Sequence, residues 1–353
     1  MDNCVLKRIT EQTKTEFWTD SCDVPTLKRA VGWGATGATS NPIIVFDCIK
    51  TDTDRWIREI AEIRKKEKNF TEDEIAWELI RKLALEAMPI LRYIYDASNR
   101  RTGRITIQVN PKYFTDPEKM ITHAREIATW GENIAIKIPA VEAGFIAMEE
   151  LVAEGLSILS TVQFTLSQAI ATAEAFERGY KRAQSNGIDI FRQSTWAAIM
   201  VGRLDDHLRD EQKAKKIPVN TEDIHYASLA VFKKIAHVFK ERHYRTKLMA
   251  AAIRGSYHCM RYVGDDVVVT LPPSWQEFIN SANEPITPNA IGQEEPVEKI
   301  ENLRRHFPDF DRAYEEGGMN AAEFVKFGST HKTLRQFISG YEELLHFVRN
   351  CML

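Results

Sequence analysis

The sequence predicts an α/β protein: a (β/α)8 TIM barrel with a helical insertion after the second strand and capping helices at the C-terminal end. Three observations lead there. Eight short apolar segments read as strands, and each is followed by enough chain for a helix. Their strict alternation implies a parallel sheet, and eight such units favour a closed barrel over an open sheet. The glycine-rich nucleotide loop that an open doubly wound sheet usually carries after its first strand is missing here.

The first strand, residues 16–22, runs into Trp18-Thr19-Asp20-Ser21-Cys22-Asp23 with no glycine. Gly32-Trp33-Gly34-Ala35-Thr36-Gly37 precedes the second strand, residues 35–40, and fits a turn better than a phosphate cradle. The second-to-third connection is long. Residues 52–64 and 71–95 are two amphipathic stretches joined by the charged turn Lys65-Lys66-Glu67-Lys68-Asn69-Phe70. The remaining strands are predicted at 104–110, 133–140, 157–165, 195–202, 247–254 and 266–271. Between them, residues 117–130, 143–154 and 166–183 carry apolar residues at helical spacing. Residues 272–296 are rich in Pro, Asn and Glu and read as loop, whereas the tail from 298 holds helices, ending with 330–351, that cap the barrel. No repeat, low-complexity tract or linker divides the chain, so residues 1–353 are expected to form one barrel domain.

Bulk composition narrows the function. Hydrophobic residues make up 44% and charged residues 27%, the profile of an ordinary soluble globule. A net charge of −3 supplies no basic surface for nucleic acid. No apolar stretch approaches the roughly 18 residues of a membrane span. The start, Met1-Asp2-Asn3-Cys4, lacks the pattern of a secretory leader. The cysteines Cys4, Cys22, Cys48, Cys259 and Cys351 are scattered and odd in number, with no CxxC pair. That usage points to a reducing cytoplasm and away from a disulfide frame or zinc site. The histidines show no ligand spacing either, so no metal or other cofactor is expected.

Lys137 carries the strongest chemical signal. It lies in the apolar run Ile134-Ala135-Ile136-Lys137-Ile138-Pro139-Ala140, which reads as a strand buried on both sides. Burial strips water from the ammonium and favours the neutral amine. A neutral amine attacks a carbonyl carbon, the opening step of a Schiff base. The plainer reading is a lysine that snorkels out or pairs with a carboxylate. In a barrel, chemistry gathers at the C-terminal strand ends. The polar residues predicted there include Asp20, Thr39, Ser40, Asn41, Gln108, Asn110, Lys137, Thr161, Gln163, Thr165, Arg203 and Arg254. Several have structural explanations: Asp20 or Asp23 as a helix cap, Asn41-Pro42 as a turn, Gln108 and Thr161 as core hydrogen-bonders, and Arg203 paired with Asp205 or Asp206. Two arginines on adjacent strands suggest an anion clamp.

These residues resemble the transaldolase family. The resemblance rests on Trp18-Thr19-Asp20, Gly37-Ala38-Thr39-Ser40-Asn41-Pro42 and Gly103-Arg104-Ile105-Thr106-Ile107-Gln108-Val109-Asn110. It continues through Ile136-Lys137-Ile138-Pro139-Ala140, Ser160-Thr161-Val162-Gln163-Phe164-Thr165 and Val201-Gly202-Arg203. The long helical insertion is similar to that of the larger bacterial members. The resemblance implies that Lys137 forms the Schiff base and that Asp20 moves the proton at the bond made or broken. It further implies that Ser40 and Asn41 contact the three-carbon unit, that Thr161 holds a catalytic water, and that Arg203 and Arg254 bind the acceptor's phosphate. Its substrates would be small sugars or sugar phosphates. No nucleic acid or membrane partner is implied, and a homodimer is admissible because family members are often dimeric.

Four positions depart from the family pattern. Gln108 stands where transaldolases usually place a glutamate that relays a proton. The related fructose-6-phosphate aldolases also carry glutamine there, which tilts the chemistry toward aldol addition or cleavage with free dihydroxyacetone. Ala198 and Ala252 replace hydroxyl side chains near the phosphate, and Met200 stands where an aromatic is common. The sequence therefore suggests altered substrate specificity. A sugar-binding barrel without catalysis, and a barrel lyase acting on another carbonyl such as a keto acid, are the competing readings.

Overall fold

The structure, a computed structural model, describes residues 4–353. Residues 1–3, on which part of the leader reading rests, lie outside the described residues. Seven parallel strands are formed: β1 (Glu16–Thr19), β2 (Ile105–Gln108), β3 (Ile134–Pro139), β4 (Ile158–Gln163), β5 (Thr195–Ile199), β6 (Lys247–Ala250) and β7 (Val267–Leu271). Their order is β1-β7-β6-β5-β4-β3-β2. The predicted second strand closes the gap between β1 and β2, but only as parallel bridges from Ala38 to Thr19 and to Ile105. Its backbone is nevertheless bonded on both sides. Thr39 N–H donates to the Thr19 carbonyl at 2.8 Å, and Thr106 N–H donates to the Ala38 carbonyl at 2.9 Å. The result is a closed barrel of eight parallel segments, as expected.

Close approach explains why the eighth segment is so short. A Cβ on Gly37 would stand 2.4 Å from the Trp18 indole. Only glycine lets the backbone pass against that ring while its carbonyl accepts Thr19 N–H at 3.0 Å. Inside the barrel, Trp18, Ala135, Leu159, Trp196, Ala198, Met249 and Val268 form a separate apolar cluster. Trp18 and Trp196 meet edge to face, their centroids 5.1 Å apart. This plug fills the middle of the barrel and leaves the C-terminal mouth to polar residues. Below it Glu16 Oε1 accepts from Lys247 Nζ at 2.6 Å.

The insertion after the eighth segment consists of helices Pro42–Lys50, Thr53–Lys66 and Glu72–Ala97. Residues 272–296 differ from expectation, for Pro273–Ala282 is a helix. Pro273 at its first position suits a helix start, and Trp275, Gln276 and Ile279 give it an inner face. The last helix, Gly328–Met352, packs on the insertion helices and on the helix Val201–Lys215. Cysteine spacing hid one contact: Cys22 Sγ lies 3.4 Å from Cys48 Sγ, both thiols free and buried. Among the described residues no helix is long and apolar enough to cross a membrane.

Candidate active site

β3 is buried along its whole length, and Lys137 is 5% exposed. Parallel register pairs Lys137 with Gln108 on one side and with Leu159 on the other. The lysine therefore leaves the strand just above the apolar plug, on the barrel's inner face. Its Nζ donates to the Ser40 carbonyl at 2.9 Å and lies 5.8 Å from the Phe337 ring centroid. No ion pair offsets the burial among the described residues. Desolvation pushes the amine down to about 8, Asp20 pulling it up and Arg203 pushing it further down.

Asp20 lies one residue beyond β1, at the same mouth. Its Oδ1 accepts from Thr39 Oγ1 at 2.6 Å, and Thr39 Oγ1 is in turn 2.6 Å from Thr270 Oγ1. Burial raises the Asp20 carboxyl above the usual range, against the lowering pull of Lys137, the Thr39 hydrogen bond and the two arginines. Asp20 is not a helix cap. Asp23 takes that role, accepting Thr26 N–H at 3.0 Å.

A cavity of about 150 Å³ opens at this mouth. Its walls include Asp20, Asn41, Lys137, Thr161, Arg203 and Arg254. With Thr39, which also lines it, seven of the twelve strand-end polar residues named from sequence thus meet around one space. Thr161, buried on β4, points its hydroxyl toward Met200 Sδ at 3.9 Å. The next residue, Val162, sits at φ 58° where β4 shifts register, a left-handed conformation unusual for a β-branched side chain. Asn41 caps the helix Pro42–Lys50, its Oδ1 accepting from Ile43 N–H at 2.9 Å and Ile44 N–H at 3.1 Å. Its Nδ2 has no protein partner among the described residues.

Ser40 and Gln108 line an adjoining, smaller cavity beside Trp77 and Tyr341. Ser40 Oγ donates to the Thr106 carbonyl at 2.6 Å, so its hydroxyl is occupied; its carbonyl is what reaches Lys137. Gln108 is buried, and its Oε1 has no hydrogen-bond partner among the described residues. Asn110 and Thr165, also read as strand-end polar residues, serve as helix caps.

Both arginines lie beyond strand ends. Arg203 sits in the first turn of Val201–Lys215, over the Phe337 ring at 5.3 Å, and its guanidinium bonds Gln336 and Thr333 of the last helix. Burial and Arg254 push it down to about 10. Arg254 pairs with Asp206, Nε to Oδ2 at 2.9 Å. Sequence reasoning missed Thr270, Phe337, Thr333 and Gln336. Thr270 could have been found as the polar residue of Val267-Val268-Val269-Thr270-Leu271. The last-helix residues carry no such signal, since nothing local reveals that their helix covers the barrel mouth.

One cluster of ligand-type atoms occurs among the described residues, His207, Glu211 and Asp309, within 4.8 Å of one another. It lies outside the cavity, and His207 Nε2 is hydrogen-bonded to Asp309 Oδ2 at 2.8 Å.

The family described as Transaldolase/Fructose-6-phosphate aldolase matches residues 17–346. The chain belongs to this family. Relatives within reach of the sequence carry transaldolase names. "Transaldolase 1" of Streptomyces avermitilis is 32% identical over 181 residues, 51% of this chain and 47% of the relative. "Transaldolase 2" of Nostoc punctiforme is 33% identical over 184 residues, 49% of this chain and 45% of the relative. "Transaldolase" of Saccharopolyspora erythraea is 29% identical over 180 residues, 50% of this chain and 47% of the relative. The chain thus spans about half the length of the curated relatives it matches.

Proposed function

We propose that the chain is a Schiff-base transaldolase or closely related aldolase acting on a small ketose. The observation that carries this reading is a buried amine, pushed down to about 8, facing the same cavity as a carboxylate pushed up. In the proposed cycle, neutral Lys137 attacks the ketose C2, and loss of water gives a protonated imine. Asp20 takes the proton from the C4 hydroxyl. The C3–C4 bond then breaks, its electron pair flowing to the imine nitrogen to leave an enamine while an aldehyde departs. A raised Asp20 pKa suits this step, because a more basic carboxylate accepts the hydroxyl proton more readily. Transfer is completed when the enamine carbon attacks an acceptor aldehyde. Asp20 then returns its proton, and water releases Lys137. Asn41 Nδ2 is assigned to the three-carbon unit, Thr161 to a water, and Arg203 and Arg254 to an anionic group at the far end.

One observation favours aldolase chemistry with free dihydroxyacetone over transfer. Gln108 cannot relay a proton, and its Oε1 stays unpartnered off the main cavity. Ala198, Met200 and Ala252 all line the cavity, which supports altered specificity. Two missing hydroxyl bonds to a phosphate cost roughly 1.5–3 kcal/mol each. The test is product analysis from fructose 6-phosphate with and without erythrose 4-phosphate, beside the unphosphorylated ketose. Free dihydroxyacetone without acceptor supports the aldolase; product only with acceptor supports transfer. Rapid turnover of the phosphorylated pair, with neglect of the unphosphorylated ketose, refutes altered specificity. No turnover of any ketose refutes the enzyme reading.

A further inference from the structure

The first turns of Val201–Lys215 grip the loop that carries Arg254 at two points. Asp206 holds the Arg254 side chain. Asp205 turns inward, and its Oδ2 lies 3.1 Å from His258 Nε2, both residues 0% exposed. His258 Nδ1 in turn accepts the backbone N–H of Arg254 at 3.1 Å. A ring nitrogen that accepts carries no proton, so the imidazole proton sits on Nε2 and points at Asp205. Ser228 Oγ is 2.9 Å from the same nitrogen, and Tyr257 donates to Asp205 Oδ2 at 3.5 Å. The packing is equally tight, for a Cβ on Gly202 would stand 2.1 Å from the Ala252 carbonyl and 2.4 Å from Arg254 Cγ. Arg203, one residue on, belongs to the same helical turn. The two arginines are therefore built as a unit, joined through a buried carboxylate and imidazole.

Stability alone does not explain this pair. A buried charged group generally stabilises no more than an apolar side chain of the same shape, and Asp205 Oδ1 has no partner among the described residues. What the pair supplies is direction: one fixed acceptor for one loop N–H. We propose that Asp205 and His258 are positioning residues that set Arg254 against Arg203 and thereby govern recognition of an anionic substrate terminus. This inference rests on the reading of the two arginines as an anion clamp.

The experiment compares glyceraldehyde 3-phosphate with glyceraldehyde as acceptors for dihydroxyacetone. Asp205→Asn with His258→Leu removes both the charge and the acceptor. It should raise KM for the phosphorylated acceptor tenfold or more, leaving kcat and the unphosphorylated reaction within threefold. Asp205→Asn with His258→Asn restores an acceptor near the Nδ1 position and should recover most of that KM; it also carries the test if the leucine variant does not fold. Equal losses on both acceptors, or an unchanged KM in the folded variants, overturn the inference. Arg203→Ala and Arg254→Ala serve as the reference. If they discriminate between the acceptors and the Asp205/His258 variants do not, the positioning claim alone falls. If the arginine variants do not discriminate, the clamp reading and this inference fall together.

Discussion

Water is the natural solvent of an ammonium, and Lys137 has almost none. Among the described residues its one hydrogen bond goes to a neutral carbonyl, that of Ser40. The charged state is therefore the expensive one. An ordinary lysine near 10.5 is almost wholly protonated at pH 8, whereas Lys137, pushed down to about 8, is about half neutral there. Because only the neutral amine attacks a carbonyl, the rate of covalent adduct formation should rise with pH and level off above about 8. Stopped adduct formation read by intact mass across roughly pH 6–10, a window that brackets the shifted amine and reaches toward an ordinary lysine, checks this. A profile still climbing toward 10.5 would place the lysine in water. Asp20→Asn should leave the adduct intact and slow C–C cleavage by about 10²–10⁴, the usual weight of a general base. Single-turnover kinetics separate the two steps, and an undiminished cleavage rate removes Asp20 from its role. Lys137, Asp20 and Thr161 were legible in sequence because each is a polar residue in or at the end of an apolar strand. Phe337 was not. A phenylalanine on an amphipathic helix looks like any other core residue until the helix is placed.

Strands and helices position these groups by ending where they do. Predicted strands overran the observed ones because apolar residues continue into the loops, whereas the ladder stops where the chain turns toward the cavity. Residues 35–40 lost strand character to Gly37, which must pass against the Trp18 ring. The helix Pro273–Ala282 was hidden by a composition rich in Pro and Asn, though Pro273 at its first turn is favourable to a helix. Asn41 shows how one residue can serve both an element and the proposed site. Its Oδ1 caps Pro42–Lys50, and its Nδ2, without a protein partner among the described residues, is the donor that the proposed function gives to the ketose. Asn41→Asp keeps the cap and removes the amide donor. It should hold the unfolding midpoint while weakening donor-ketose binding. Asn41→Ala should lose both, at a stability cost of about 1 kcal/mol. Thermal unfolding and donor KM, measured on both variants, test this. Equal donor KM for Asn41→Asp and the parent assigns the residue to the cap alone.

At the scale of the molecule, the C-terminal helix completes the site from far along the chain. Phe337 is fully buried and lies over both Lys137 Nζ and the Arg203 guanidinium, while Gln336 and Thr333 hold Arg203. The barrel supplies the amine, and the tail keeps it dry. Phe337→Ala should therefore cost roughly 3–5 kcal/mol of stability. In the fraction that folds, it should also move the midpoint of adduct formation upward from about 8, because water re-enters beside the amine. An unmoved midpoint would show that the tail packs without tuning the site. The fold class was legible because alternation is a property of the whole chain. The coverage of the mouth was not, because helix docking leaves no local pattern.

The central claim is that Lys137 captures a ketone covalently. The most direct measurement is borohydride reduction of the protein mixed with fructose 6-phosphate and, separately, dihydroxyacetone, followed by peptide mass mapping. The account predicts a stable adduct on Lys137 and none in Lys137→Ala, with the variant's circular dichroism unchanged. A folded parent protein that yields no adduct with either ketose, or an adduct that persists in Lys137→Ala, contradicts it.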